Sequence, residues 1–166
     1  MIDFPGKTPT EADIWQALET VMDPEIPVVS LVEMGIVRDV EVAGGRVTVT
    51  MTPTFSGCPA LDVMRREVIE KVASLGVEQV EVGMVLSPPW TTDWITEVAR
   101  AKLKAFGLAP PRPGGGSQDV IFYDLALCPR CDGMNTTLKN SFGPTLCRAI
   151  YYCEDCQEPF EQFKAL

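Results

Sequence analysis

Two Cys-x2-Cys pairs near the C-terminus constrain this chain more than any other sequence feature. Cys128-Pro129-Arg130-Cys131 and Cys153-Glu154-Asp155-Cys156 are separated by 21 residues. Each pair can bring two thiolates together at a tight turn, and two such turns supply the four ligands of a tetrahedral zinc ion. The spacing therefore predicts a zinc ribbon over residues 120–166. Its zinc would be structural, because four thiolates leave no coordination position open.

The ribbon segment is too short to build much of a hydrophobic core, so metal binding would supply most of its folding free energy. Short strands are expected at residues 121–125 and 150–152. Cys147 lies outside the two pairs. It is a core residue, an exchangeable ligand or a redox thiol, and the first of these is commonest for an unpaired cysteine.

The overall composition restricts both partners and chemistry. Of 166 residues, 14 are basic and 23 acidic, which gives a net charge of −9 and argues against a nucleic-acid partner. Histidine is absent, so a thiol-dependent transferase would lack the base that a cysteine nucleophile usually needs. The chain shows neither a signal-peptide pattern nor an apolar run of membrane-spanning length, so we expect a cytoplasmic protein without a membrane partner.

The first two thirds of the chain alternate between helix and strand patterns. Thr8 is the predicted cap of a first helix that ends at Asp23-Pro24. A hairpin over 36–42 and 46–51, a helix over 59–75, a strand over 77–86 and a final helix capped by Thr91 or Thr92 follow. This order predicts an α+β fold, a two-layer sandwich of helices on a small mixed three-stranded sheet. Proline and glycine crowd residues 110–118, which predicts a domain over 1–108, a flexible linker over 109–119 and the ribbon over 120–166.

A second candidate site lies where the hairpin runs into the following helix. With Pro59 as the first helical residue, Cys58 would be the N-cap, where unpaired N–H groups and the helix dipole favour a thiolate. The alternative is a small buried cysteine near a turn. Asp23-Pro24-Glu25 by itself is most simply a helix stop with solvated carboxylates.

The loops, taken together, resemble a known family. Asp23-Pro24-Glu25-Ile26-Pro27, Thr52 to Pro59 and Pro88-Pro89-Trp90 resemble the signature of SufT-like iron–sulfur assembly domains. Leu31 to Arg38 and the tail with Gly143-Pro144-Thr145-Leu146-Cys147 extend the similarity. From Thr10 to Lys164 the chain is similar to the D-subunit family (PaaD) of bacterial phenylacetyl-CoA epoxidase systems.

The resemblance implies an accessory factor that matures metal centres of this epoxidase system in aerobic phenylacetate catabolism, a route of aromatic compound degradation. It assigns no catalytic residue. It implies that Cys58, Asp23 and Glu25 bind a transient iron–sulfur cluster or iron, with Trp90 beside them. The implied partners are the oxygenase or reductase components, the iron–sulfur assembly machinery and a second copy of the chain. The alternative is a non-catalytic docking protein of the oxygenase, in which Cys58 is buried and the ribbon binds a partner.

Overall fold

The computed structural model describes residues 9–55, 57–112 and 126–164. The chain divides into two compact units, and each takes two stretches of sequence. The first unit comprises Met1–Pro53 and Pro59–Pro88, and the second comprises Thr54–Cys58 and Pro89–Leu166.

The first unit is a two-layer sandwich. Its elements are α1 (Glu11–Leu18), β1 (Val37–Ala43), β2 (Arg46–Met51), α2 (Leu61–Ala73) and β3 (Gln79–Met84). β1 pairs with β2 in antiparallel fashion and β2 with β3 in parallel, which gives the strand order β1-β2-β3. Side chains alternate between buried and exposed along β2, as expected for a sheet with one face on the core. The predicted mixed three-stranded sheet is confirmed.

The first helix begins later than its sequence pattern predicts. Thr10 is its N-cap, and the side chains of Thr10 and Asp13 form a capping box across the first turn. The Thr10 N–H donates to Asp13 Oδ2 at 2.8 Å. Thr8, the predicted cap, lies outside the described residues. The helix ends at Leu18, well before Asp23-Pro24.

The second unit combines a helix with a four-stranded sheet. A 3-10 turn (Thr92–Trp94) precedes α3 (Glu97–Phe106), and the strands are β4 (Leu108–Ala109), β5 (Thr136–Asn140), β6 (Arg148–Cys153) and β7 (Glu158–Phe163). The strand order is β4-β7-β6-β5, and only the β4–β7 pair among these is parallel. The strand predicted at 150–152 is part of β6, whereas residues 121–125 lie outside the described part of the chain.

The prediction of one helix from Thr91 or Thr92 is wrong. Thr91 caps the 3-10 turn, and α3 begins only at Glu97. Thr96 is the N-cap of α3, because its side chain accepts a hydrogen bond from the Ala99 N–H at 3.1 Å. Thr91 and Thr96 thus cap two separate elements within a segment whose hydrophobic residues are spaced as in one continuous helix.

The compact units differ from the division expected from the proline- and glycine-rich segment. Both α3 and β4 fall in the unit that contains the ribbon strands. Residues 113–119 of the expected linker lie outside the described residues. As independently folding domains, 1–108 and 120–166 stay a prediction. Among the described residues, every helix is too short or too polar to cross a bilayer.

Candidate functional site

The four cysteines of the two knuckles (Cys128–Cys131 and Cys153–Cys156) converge on one point. Their Sγ atoms all lie within 4.8 Å of one another. The Cys128–Cys156 and Cys131–Cys153 Sγ separations are 3.7 and 3.6 Å. A tetrahedral zinc with bonds of about 2.3 Å to sulfur requires about 3.8 Å between its ligands. The thiol positions therefore match a ZnS4 centre, and the residues fit the predicted structural zinc.

Each knuckle is shaped by one residue in the left-handed region. Asp132 and Gln157 directly follow the second cysteine of their knuckles, and each has φ of 59°. In the first knuckle, the Asp132 N–H donates to Cys128 O and the Cys128 N–H to Gly133 O, both at 3.0 Å. The Asp132-Gly133 pair is a recognisable turn signal in the sequence, whereas Gln157 offers no such signal.

Neighbouring atoms at the metal centre leave little room for a side chain at Gly133. A Cβ at this position would lie 2.3 Å from Asp155 Oδ2 and 3.1 Å from Cys131 Sγ. A methyl group here would therefore press both on Asp155 of the second knuckle and on Cys131, a zinc ligand of the first.

Two thiols of the cluster, Cys128 and Cys156, have pKa values shifted in opposite directions. Burial raises the pKa of Cys128. Hydrogen bonds from the N–H groups of Cys131 and Arg130 and from neighbouring thiols together outweigh this effect and lower the pKa to about 7. Burial together with the other three thiols raises the pKa of Cys156 to about 12. Cys128, which is buried, therefore loses its proton at a lower pH than Cys156.

Cys58 does not cap a helix. α2 begins at Leu61, and Ala60 is its N-cap, without a side-chain hydrogen bond. Cys58 lies in a turn closed by its own N–H, which donates to Phe55 O at 3.1 Å. The thiol is half-buried and forms no disulfide. The predicted capping role is therefore wrong.

Asp23 is built into the backbone of its loop. It is 5% exposed, and its Oδ1 accepts the N–H groups of Glu25 at 2.7 Å and Ile26 at 3.0 Å. The prediction of a solvated helix stop does not describe this buried carboxylate. Glu25 is half-buried in the same loop of the first unit.

The next turn along the loop repeats this side-chain capping. The Ser30 N–H donates to Glu33 Oε2 at 2.9 Å, and the Glu33 N–H donates to Ser30 Oγ at 3.1 Å. The Ser-x-x-Glu spacing is the sequence signal for this capping box, and the predictions from sequence missed it. The loop that carries Asp23 and Glu25 is therefore a fixed structure.

The remaining two predicted residues are buried in the second unit. Trp90 is 4% exposed and contacts Phe163 of β7. Cys147 is buried, with its Sγ 3.1 Å from Thr145 Oγ1. Cys147 is not among the clustered ligands, which favours the core interpretation over that of an exchangeable ligand.

Two family models match successive parts of the chain. The model described as "Iron-sulfur cluster assembly protein" matches residues 11–83. The model described as "PaaD zinc beta ribbon domain" matches residues 123–164, and so identifies the four-cysteine cluster as the zinc site of this ribbon.

Curated relatives cover both the whole chain and its first part. The D subunit of the putative 1,2-phenylacetyl-CoA epoxidase of Escherichia coli is 40% identical over 158 residues, 95% of this chain and 94% of that protein. An Fe-S protein maturation auxiliary factor of Porphyromonas gingivalis is 44% identical over 96 residues, 57% of this chain and 90% of its own. SufT of Staphylococcus aureus, another such factor, is 36% identical over 50% of this chain and 96% of its own.

Solved structures are similar to the chain over a comparable length. A domain of unknown function from Bacillus anthracis matches with a TM-score of 0.53 and 31% identity, over 56% of this chain and 90% of that one. A conserved hypothetical protein from Thermotoga maritima matches with a TM-score of 0.52 and 30% identity, over 62% and 99%. With the near-complete match to the Escherichia coli protein and both family models, the chain belongs to the D-subunit family of phenylacetyl-CoA epoxidase systems, in which an iron–sulfur assembly domain is joined to a PaaD-type zinc ribbon.

Proposed function

We propose that this chain is an accessory factor that helps to mature iron–sulfur centres of the phenylacetyl-CoA epoxidase system. The observation that carries the proposal is the end-to-end similarity to the Escherichia coli protein, combined with the match of its first part to Fe-S maturation auxiliary factors. The iron–sulfur cluster is cargo in this role, and the ribbon zinc is the resident metal. A cytoplasmic location stays a prediction.

Cys58 is the proposed transfer thiol. Of the six cysteines, four form the zinc site of the ribbon and Cys147 is buried. This leaves Cys58, which lies outside residues 126–164, as the candidate for cluster transfer. Iron–sulfur clusters are commonly held by four cysteine thiolates. A single thiol therefore cannot hold a cluster tightly, and the missing ligands would come from the recipient protein or from a second copy of the chain. Incomplete ligation therefore favours transfer of a cluster to another protein rather than its storage.

Asp23 and Glu25 stay proposed cofactor-binding residues. Carboxylates are oxygen ligands that suit iron before it enters a cluster. The two backbone hydrogen bonds of Asp23 give that residue a structural role as well. A variant of Asp23 will therefore combine two effects, and Glu25 is the cleaner position at which to test iron binding.

Anaerobic incubation of the purified chain with ferric iron, sulfide and a thiol reductant tests the role of Cys58. We expect visible absorption from a bound cluster in the wild-type protein and in Cys147→Ala, and its loss in Cys58→Ala. Zinc content should stay the same in all three, because neither substitution touches a ribbon ligand. Equal absorption by Cys58→Ala and wild type would contradict the proposed transfer thiol.

A docking role within the oxygenase is the second candidate function, favoured by exposed apolar side chains on the ribbon. Met134 is 57% and Phe142 62% exposed. Such side chains are commonly found where proteins associate. Deletion of the gene separates the two functions. Loss of clusters from components that still assemble indicates maturation, whereas components that carry their clusters but no longer assemble indicate docking.

A further inference from the structure

Near its end, the segment 89–112 contributes Ala109 of β4 to the hydrophobic core that contains two zinc ligands. β4 pairs with β7, with Leu108 opposite Glu161 and Ala109 opposite Gln162. Ala109 is 1% exposed and belongs to the same buried cluster as Cys128 and Cys153. The strand that ends this segment therefore depends on a ribbon that the metal holds closed.

A second connection joins α3 to the first knuckle. Lys104, in the last turn of α3, forms an ion pair with Asp132. Both side chains are substantially exposed, so the pair by itself contributes little stability. The ion pair is informative because of its location. Asp132 directly follows the ligand Cys131 and has the left-handed conformation of the knuckle turn. The carboxylate is in place only while the knuckle is formed.

Arg100 links the two ends of residues 89–112. This side chain is 8% exposed. Its guanidinium donates to Thr92 O at 2.6 Å and also to Pro111 O, so it joins the two ends of the segment. A buried cationic donor that lost a carbonyl partner would be costly. Displacement of the β4 end is therefore passed to the Thr92 end.

The Cys58 turn belongs to the same compact unit. Thr54–Cys58 is grouped with Pro89–Leu166 and not with the elements on either side of it in sequence. Trp90, at the start of the second stretch, is anchored to the ribbon through Phe163. Cys58, whose thiol is half-buried, thus belongs to the compact unit that contains the zinc site.

We propose that the metal at the four cysteines controls the conformation of residues 89–112 and, through them, the accessibility of Cys58. With metal bound, the ribbon holds β4, α3 and Trp90, and Cys58 stays partly covered. When the metal leaves, β7 no longer offers a fixed partner to β4, and the segment loosens. The inference does not require Cys58 to carry a cluster, so it can fail or hold independently of the proposed function.

Metal removal from the full chain tests this inference. Zinc is withdrawn with an excess of chelator, and amide hydrogen exchange of α3 peptides is compared with that of α2, which lies in the first unit. Alkylation of Cys58 by N-ethylmaleimide is followed by peptide mass spectrometry. We expect α3 exchange and Cys58 alkylation to rise by about tenfold or more, with α2 unchanged. Loss of protection confined to β5–β7, or an equal loss in α2, would overturn the proposal.

Lys104→Ala tests the connection while the metal stays bound. Lys71→Ala is the matched control, because Lys71 also lies in the last turn of its helix, α2. Both substitutions remove a favourable charge from a helix C-terminus, but only the first removes a link to the knuckle. We expect α3 exchange in Lys104→Ala to rise about two- to fivefold more than α2 exchange rises in Lys71→Ala, at unchanged zinc content. An equal rise in the two helices would contradict the proposal.

Discussion

Trp90 packs edge-on against Phe163, with the ring centroids 5.9 Å apart and the ring planes at 69°. Both side chains are almost fully buried, at 4% and 1% exposed. Trp90 belongs to one of the loops that resemble iron–sulfur assembly domains, whereas Phe163 ends the last strand of the zinc ribbon. The ribbon therefore completes the packing of an assembly-domain motif.

Truncation of Phe163 should destabilise the second unit strongly. Phe163→Ala removes a buried aromatic side chain and its contact with Trp90, which typically costs about 3–5 kcal/mol. Phe142→Ala is the control in the same unit, because Phe142 is 62% exposed and should cost under about 1 kcal/mol. Chemical denaturation of both variants measures the difference. Similar costs for the two would show that the Trp90–Phe163 contact contributes little.

Gly133→Ala should weaken zinc binding without unfolding the first unit. The added methyl group would press on Cys131 Sγ and on Asp155, so we expect about a tenfold loss of zinc affinity, the size of effect seen when ligand surroundings are disturbed. Gly83→Ala is the matched control, because a Cβ there meets nothing within 4 Å. Competition with a chromophoric chelator measures the affinities. An unchanged affinity in Gly133→Ala would mean that the second knuckle can shift freely.

The zinc site could be predicted from sequence because ligand spacing and geometry are linked directly. Two Cys-x2-Cys turns have few ways to bind zinc other than together, and the four thiols lie where that prediction requires. The hairpin was predictable for a similar reason. Alternating β1 and β2 flank a Gly44-Gly45 turn, and both glycines have positive φ.

The helix starts were predicted less well, because several nearby residues can cap. Thr8 and Thr10 both precede the apolar period of α1, and Asp13 decides between them through a capping box. Pro59 suggested a helix start at Cys58, but the turn closed by the Cys58 N–H delays α2. These choices depend on single hydrogen bonds of about 1 kcal/mol.

The grouping of α3 with the ribbon could not be predicted from local sequence. It rests on contacts between residues far apart in the chain, such as Lys104 with Asp132 and Ala109 with Gln162. The intervening proline- and glycine-rich segment has the composition of a spacer, which gives no information on whether its flanks pack together. Long-range pairing of this kind leaves no periodic signal.

Asp23→Ala should destabilise the first unit by about 1–2 kcal/mol, because the Glu25 N–H loses its side-chain acceptor and the Ile26 N–H keeps only the backbone oxygen of residue 23, at 3.2 Å. Asp23→Asn keeps a side-chain oxygen that can accept the same bonds and should recover part of the loss. Glu25→Gln is the control in the same loop and should change stability by less than about 0.5 kcal/mol. Thermal unfolding measures all three. Equal stability of Asp23→Ala and wild type would leave Asp23 without a structural role.

The most direct measurement is the iron–sulfur content of the epoxidase reductase component isolated from cells that carry only a variant of this chain. Cys58→Ala should leave that component depleted of its cluster and the epoxidase inactive, because the proposed transfer thiol is missing while both compact units stay folded. Cys147→Ala, which removes a cysteine outside the zinc set, should give normal cluster content. Full cluster content and full epoxidase activity with Cys58→Ala would contradict the proposed maturation role and reduce Cys58 to a packing residue.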